Sequence, residues 1–243
     1  GTITMGGYDY HGQGRATGLM VGPGVNGHTE ALDTAVRTRP NPDEARRLLA
    51  EAGYPNGFQV GMDCPNDRYV NDEAICTATV AMLARIGIRV QLNAQTRARY
   101  FAEILAPRYN TSFFMLGWTP ATYDAHNAFF NLMASRQGDR GMFNVGGWSN
   151  ARFDELAQAM AVETNRERRQ AMIEEAMRIH AEEAGHIPLH QQTVVWAARS
   201  KAAKRSKASS LLANWLRVDW DTTRSTPSLP MRPSRTWPMR ALS

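Results

Sequence analysis

Aromatic, acidic and amide side chains lie close together in residues 116–127, directly after an apolar stretch that is predicted to be a β-strand. The carboxyl ends of parallel strands are where open α/β sheets bind ligands. Flat aromatic rings combined with an acid, a titratable ring and an amide suit a polar organic ligand. The segment therefore predicts a ligand-binding loop, with the candidate contacts Trp118, Thr119, Tyr123, Asp124, His126 and Asn127.

A second loop with similar properties spans residues 64–69 and precedes a predicted helix. Its Arg68 and Tyr69 are suited to meet a carboxylate or a phosphate, because a guanidinium forms charge-assisted hydrogen bonds with both. The first loop also has a simpler interpretation that stays open at this point. In that interpretation the loop is only a turn, and Asp124 caps the helix that contains Phe129 and Phe130.

Catalytic and cofactor motifs are weak in this chain. Ser149 lies in the segment nearest to a nucleophile elbow, but the final glycine of that motif is missing and the serine is expected to cap a helix. The glycine pattern of residues 22–27 matches a dinucleotide fingerprint, but Pro23 removes an amide and the next predicted helix begins some fifteen residues later. We therefore predict a binding protein without catalytic residues or cofactors; a weak esterase with Ser149 as nucleophile is the alternative.

Metal binding is not predicted either. His186 and His190 have the spacing of a helical metal pair, but Pro188 favours an extended segment, which separates such residues by about 13 Å. His180 lies on a predicted helix without a visible partner. Cys64 and Cys76 either form a disulfide or remain two buried thiols, since the sequence alone does not give the distance between them.

The elements that must position these loops alternate between strands and helices, which is typical of parallel α/β units. Residues 1–40 are predicted to be mainly loop with at most a short strand. Asn41, Asn150 and Asn165 are expected to cap helices, with Ser149 as the alternative cap of the second. The predicted elements are a helix from Pro42 to Gly53, strands over 58–63, 88–92, 112–118 and 187–198, and helices over 71–86, 97–105, 151–162 and 166–183.

The basic character of the chain is concentrated in its last part. Residues 199–243 contain ten Lys or Arg residues and only two acidic ones, whereas the whole chain carries a formal charge of +5. Such a tail could bind polyanions, but no nucleic-acid motif accompanies it, so no nucleic-acid partner is predicted. The abrupt change in composition leads to the hypothesis of a reading-frame change near Lys201. The chain shows neither a signal peptide nor an apolar run that would span a membrane.

Several segments together resemble the extracytoplasmic solute-binding proteins of peptide and nickel ABC importers, known as family 5. They are VGPGVNG (21–27), PDEARRLLAEAGYPNGF (42–58), CPNDRYVNDEAIC (64–76), LARIGIRV (83–90), residues 116–127, GWSN (147–150) leading into Phe153 and Asp154, and IPLH (187–190). The likeness covers about residues 15–198. It implies an α/β fold, namely a periplasmic-binding-protein-like lobe (type II, cluster C) with a mostly parallel βαβ sheet.

The same resemblance implies that this is the carboxy-terminal lobe, without the amino-terminal lobe. Residues 1–40 would be a hinge-proximal loop region, 41–198 the solute-binding lobe, and 199–243 an irregular basic tail. The implied partners are a small peptide or polar organic ligand and the permease of an ABC importer, and the implied location is periplasmic or extracytoplasmic.

Two positions separate this chain from the peptide-binding members that it resembles. Those members place an aspartate three residues after the loop tryptophan, where this chain has Ala121, so recognition of a ligand's free amino group is not expected at that position. Residues 123–126 (YDAH) resemble the stretch Tyr-Asp-Pro-His of the nickel-chelate branch. The ligand is therefore left open between a peptide, an opine-like amine and a metal chelate.

Overall fold

Strands and helices alternate through the middle of the chain in the computed structural model, which describes residues 14–37, 40–107, 109 and 112–192. The described elements are β1 (Gly14–Ala16), α1 (Glu30–Val36), α2 (Pro42–Glu51), β2 (Gln59–Pro65), α3 (Asp72–Ala84), β3 (Arg89–Gln95), α4 (Arg97–Ile104), β4 (Phe113–Phe114), α5 (Ala125–Ala128), a π-helical turn (Phe129–Met133), α6 (Ala151–Ala159), α7 (Arg166–Glu182) and β5 (His190–Gln192). The predicted tail, 199–243, lies outside the described residues. None of the described helices is long and apolar enough to cross a membrane.

β2 is the central strand of a three-stranded sheet, and both of its neighbours run parallel to it. It pairs with β3 along its whole length, from Gln59 opposite Arg89 to Pro65 opposite Gln95. On its other side it pairs with β4, where Met62 lies opposite Phe113. This topology confirms the parallel α/β units that the sequence predicts. A separate antiparallel pair joins β1 to β5.

The helix starts follow the predicted caps. Asn41, Asn150 and Asn165 each accept a hydrogen bond at the side-chain oxygen from a backbone N–H inside the helix that follows. Such a bond satisfies one of the amide groups that a helix start leaves unpaired. Ser149 is therefore not the cap of α6, and the interpretation of this serine as a cap is wrong. Gly53 follows α2 with a φ of 89°, a conformation that suits the residue after a helix end.

The described lobe has two apolar cores. One lies between the sheet and α3 and contains Met62, Cys64, Ile75, Cys76 and Met115. The two cysteines in it form a disulfide, which settles the alternatives that the sequence left open. The other core lies mainly among α5, the π-helical turn, α6 and α7, and its largest side chains are Phe129, Met133, Phe153, Met160 and Ile173.

Three sequence-based predictions of elements are wrong or too long. The region predicted as loop contains α1, capped by Thr29, so a helix begins three residues after the glycine pattern of 22–27 rather than fifteen. The strand predicted for 112–118 pairs only at Phe113 and Phe114. The last strand is described from His190 to Gln192, Ile187 before it is 63% exposed rather than buried, and residues 193–198 lie outside the described residues.

Buried His180 and half-buried His186 form a pair at the end of α7. The distance from His180 Nε2 to His186 Nδ1 is 2.8 Å, and the two rings stack. Burial lowers the pKa of His180 to about 3, with a further contribution from His186. Burial also lowers the pKa of His186 to about 4. The partner of His180 was invisible in the sequence because it lies beyond the helix, in a turn that folds back.

We predict that acid destabilises the lobe through this pair. In the unfolded chain a histidine has a pKa of about 6.5, so between pH 6.5 and pH 4 the unfolded state binds protons that the folded pair does not bind. The free energy of unfolding should therefore decrease by up to about 1.4 kcal/mol per pH unit for each histidine in that range. Urea unfolding from pH 7.5 to pH 4 measures this slope, which His180→Leu should reduce. An unchanged slope in the variant would contradict the account.

Candidate functional site

The pairing of β4 with β2 stops early because of a proline. Met115 N–H still donates to the carbonyl of Asp63, at 3.1 Å. The next ladder bond would need an N–H at Pro65, and proline has none. The carbonyl of Met115 instead accepts a hydrogen bond from the hydroxyl of Tyr100. From this point residues 116–120 leave the sheet and form the start of the predicted ligand-binding loop.

The loops that follow β2 and β4 meet at Tyr69 and Gly117. The Tyr69 hydroxyl donates to the carbonyl of Gly117 at 3.3 Å. A Cβ atom on Gly117 would lie 2.7 Å from the ring of Tyr69, so only glycine allows this approach. The structure therefore places Tyr69 beside the residue that precedes Trp118, as expected for two loops at the same edge of a parallel sheet.

The loop after β2 is held by its own polar groups. The buried carboxylate of Asp72 accepts hydrogen bonds from the backbone N–H groups of Arg68 and Tyr69, both at 2.9 Å. Asn66 N–H donates to the carbonyl of Gln95, which ties the loop to the end of β3. The disulfide between Cys64 and Cys76 joins the two ends of the same segment. These bonds fix the backbone from which Arg68 projects.

Arg68 is an exposed cation of this edge. Its guanidinium carbon lies 4.8 Å from the centre of the Tyr69 ring, within the range of a cation–π contact. No carboxylate of the described residues forms an ion pair with Arg68. A stacked and unpaired guanidinium is suited to bind an anionic group of a ligand.

The side chain of Asn127 holds the loop after β4. The indole N–H of Trp118 donates to Asn127 Oδ1 at 3.1 Å, and the backbone N–H of Ala121 donates to the same oxygen at 3.3 Å. The Trp118 ring packs against Phe143, with 5.0 Å between ring centres. Trp118 is half-buried and Thr119 is exposed. The role of Asn127 in the structure is thus to shape the loop.

Asp124 is engaged inside the lobe. It caps α5 by accepting a hydrogen bond from His126 N–H, as in the simpler interpretation of this segment. Its carboxylate also accepts two hydrogen bonds from Arg169, at 2.7 and 2.9 Å, and one from Asn26 at 2.7 Å. Burial acts to raise the pKa of Asp124, but the hydrogen bonds from Arg169 and Asn26 outweigh it, and the pKa is lowered. Asp124 is therefore an ionised and fully partnered group.

His126 faces the lobe interior. Its ring lies 5.6 Å from that of Phe130, and its Nε2 atom is buried without a hydrogen-bond partner. Burial lowers the pKa of His126, so the ring is neutral at neutral pH. Tyr123, by contrast, is 73% exposed, with a φ of 51°. The eight candidate residues thus divide into two groups. The first is exposed or half-buried and lies in the loops after β2 and β4. The second consists of Asp124, His126 and Asn127, whose polar atoms or rings contact other parts of the lobe.

We call the first group the rim; it consists of Arg68, Tyr69, Trp118, Thr119 and Tyr123. Two residues that bind Asp124, the neighbour of Tyr123, were missed by sequence reasoning. Asn26 lies in the glycine-rich segment 22–27, which signalled a connecting loop but no contact. Arg169 lies 45 positions after Asp124 on another helix, and no local pattern links the two.

One other polar cluster and Ser149 are less suited to a functional role. The side chains of His28, Glu30 and Asp33 lie within 4.8 Å of one another. However, Arg15 pairs with both of their carboxylates, so a cation is already present. Ser149 is exposed, and within the described part of the chain no hydrogen bond joins it to a histidine. The geometry therefore gives no support to Ser149 as a nucleophile.

A shallow polar groove lies on the sheet face beside α4. It is lined by Gly61, Met62, Asp63, Gln91, Leu92, Asn93 and Glu103. None of the predicted ligand-binding residues belongs to it. The buried carboxylate of Asp63 on its floor already accepts hydrogen bonds from Asn93 and Tyr109.

Solved structures show which class of protein has this fold. A dipeptide binding protein from Pseudoalteromonas, in complex with Met-Leu, is 20% identical with a TM-score of 0.66, and the match covers 77% of this chain and 36% of that one. The binding protein DppA from Helicobacter pylori, in complex with the peptide STSA, is 21% identical with a TM-score of 0.64, and the match covers 74% and 34%. The fold is that of part of a type II periplasmic binding protein.

Sequence comparison gives the family. The model of the bacterial extracellular solute-binding proteins, family 5 Middle, matches residues 7–140, which is more than half of the chain. The chain belongs to this family. The glutathione-binding protein GsiB of Escherichia coli is 32% identical over 161 residues, which are 65% of this chain and 31% of that protein. The chain thus spans about a third of the length of the relatives that it matches, and these relatives are binding proteins.

We predict that Gly117→Ala destabilises the lobe, because the added methyl group collides with the ring of Tyr69. The expected loss in free energy of unfolding is about 1–3 kcal/mol, measured by urea unfolding. Gly146→Ala is the matched control, since a Cβ there meets nothing within 4 Å. In a Tyr69→Ala background the effect of Gly117→Ala should largely disappear. An equal loss in both backgrounds would show that the two loops do not meet as described.

Proposed function

We propose that this chain supplies one wall of a solute-binding cleft for an ABC importer and leaves its ligand chemically unchanged. The observation that supports this is the meeting of the loops after β2 and β4, which brings Tyr69 beside Gly117, the residue before Trp118, at one edge of a parallel sheet. Open α/β sheets bind ligands at this edge. The second wall would come from the rest of the protein, since the relatives are about three times as long as the matched region.

The ligand class that fits the rim best is a small peptide or related polar solute that carries a carboxylate. Arg68 offers an unpaired cation there, whereas Asp124 is already paired with Arg169. Ala121 supplies no acid for a free amino group. Trp118 and Tyr123 add apolar surface for the remainder of the solute. The names of the relatives agree with this class, because glutathione and the dipeptide Met-Leu both carry carboxylates.

The mechanism that we propose is capture between two lobes. Binding would shift the equilibrium from an open to a closed arrangement, because only the closed form contacts the ligand from both sides. The closed form would then be recognised by the importer's permease, and the site of action would be periplasmic or extracytoplasmic. Residues 41–198 would form the binding lobe in this scheme, and residues 1–40 would lead into it from the hinge.

Glutathione is the first probe for this proposal. Titration of the isotope-labelled chain, followed by NMR, should shift the backbone signals of residues 66–70 and 117–123. Arg68→Gln should weaken the affinity by about tenfold or more, because a hydrogen bond to a charged group contributes about 1.5–3 kcal/mol. Arg89→Gln, at the opposite end of the sheet, should leave the affinity unchanged.

Two outcomes would contradict the proposal. One is that neither glutathione nor Met-Leu at millimolar concentration shifts any rim signal. The other is that the chain hydrolyses p-nitrophenyl esters with turnover that is abolished by Ser149→Ala, which would favour the esterase alternative.

A further inference from the structure

The Asp124 carboxylate connects three separate parts of the chain. Besides capping α5, it accepts hydrogen bonds from Asn26, which lies almost a hundred positions earlier, and from Arg169 on α7. Four hydrogen bonds to one carboxylate use the acceptor capacity of both oxygens. A ligand group that approached Asp124 would have to displace one of these donors.

Arg169 is itself held in place. Its Nε donates to the carbonyl of Met160, at the end of α6, while its two terminal nitrogens form a fork with Asp124. The side chains of Arg169 and Asp124 are only 19% and 22% exposed. A bidentate and mostly buried pair is geometrically specific, unlike the mobile ion pairs of a protein surface.

The backbone next to this pair is held in an unusual conformation. Asn26 N–H donates to the carbonyl of Tyr123, and Ala125 N–H donates to the carbonyl of Asn26, which joins the two loops on either side of Asp124. Between these bonds Tyr123 adopts a φ of 51°. A left-handed conformation is unfavourable for a residue with a side chain, so it persists only where its surroundings enforce it.

We propose that Arg169 is a positioning residue for the rim. It fixes Asp124, and thereby the joined loops that hold Tyr123 in its exposed, left-handed conformation. Arg169 also keeps Asp124 from acting as a counter-charge for a ligand's amino group, so the ligand is selected by its anionic part. The link to ligand selection rests on the proposed function, whereas the link between Arg169 and the rim backbone does not.

Amide hydrogen exchange of the chain without ligand tests the positioning role directly. Arg169→Gln should accelerate exchange at the N–H groups of Asn26, Ala125 and His126 by about tenfold or more. In this variant, local opening of the joined loops no longer requires the two hydrogen bonds between Arg169 and Asp124 to break. Arg169→Lys should restore part of the protection at most, since a lysine cannot form the fork. Amides of β2 should be unaffected.

The matched control is Arg152→Gln. Arg152 also forms a fork with a carboxylate across two helices, Glu175 on α7, but this pair is exposed and distant in the chain from the rim loops. This variant should leave exchange at Asn26, Ala125 and His126 unchanged. The proposal is overturned if Arg169→Gln leaves these amides as slow as in the wild type. It is also overturned if β2 amides accelerate equally, since Arg169 would then only support global stability.

The affinity for glutathione provides the second arm. If the wild type binds glutathione, it should bind N-acetylated glutathione, which has no free amino group, about equally well. Arg169→Gln should raise the affinity for glutathione relative to the N-acetylated form by about threefold or more, because Asp124 can then pair with the amino group, and Arg152→Gln should not. If the wild type does not bind glutathione, this result counts against the proposed function alone. The exchange measurement still decides whether Arg169 positions the rim. An unchanged ratio of the two affinities in Arg169→Gln, with binding intact in the wild type, would contradict the link to ligand selection.

Discussion

The parallel pairing of β2 with both β3 and β4 is the constraint on which the rest of the lobe depends. Because the strands run in the same direction, their carboxyl ends lie at one edge, and every loop that leaves these ends must start there. Pro65 then ends the ladder, since it has no N–H to offer Met115. The chain after β4 is released from the sheet at the point where it meets Tyr69, and this produces a rim rather than a longer strand.

Around that edge, polar contacts hold the loops in place. Asp72 holds the loop after β2, and Asn127 holds the loop after β4. Each of these groups is partnered within the lobe, so in the proposed function the side chains left for a ligand would be the exposed ones, above all Arg68 and Tyr123. A wall with these properties would be preorganised, which would reduce the entropy that a ligand must offset on binding.

Local signals explain what the sequence could predict. The caps Asn41, Asn150 and Asn165 and the glycine after α2 act within a few residues, so the helices that they delimit were found close to their true ends. The end of β4 was not predictable in this way, because it depends on a proline in the neighbouring strand. α1 was missed because seven residues next to a glycine-rich segment carry little periodicity, although Thr29 does cap it.

The arrangement of the candidate site residues was predicted only in part, for the same reason. The positions of Arg68 and Trp118 at strand ends followed from the order of the elements, and the structure places Tyr69 beside the Trp118 loop. The engagement of Asp124 depends on Arg169 and Asn26, which are brought to it by tertiary packing. The spacing of residues along the chain does not predict such a contact. An aspartate can act either as a helix cap or as a ligand contact, so the residue type at position 124 did not show which role applies.

The most direct test of the rim as one anion-binding wall is paramagnetic NMR with a nitroxide carboxylate, carboxy-PROXYL, which requires no knowledge of the natural solute. The account predicts that the probe broadens the backbone signals of residues 66–70 and 117–123 together, and that Arg68→Gln removes both effects. Broadening confined to the groove beside α4, or to one of the two loops alone, would contradict it.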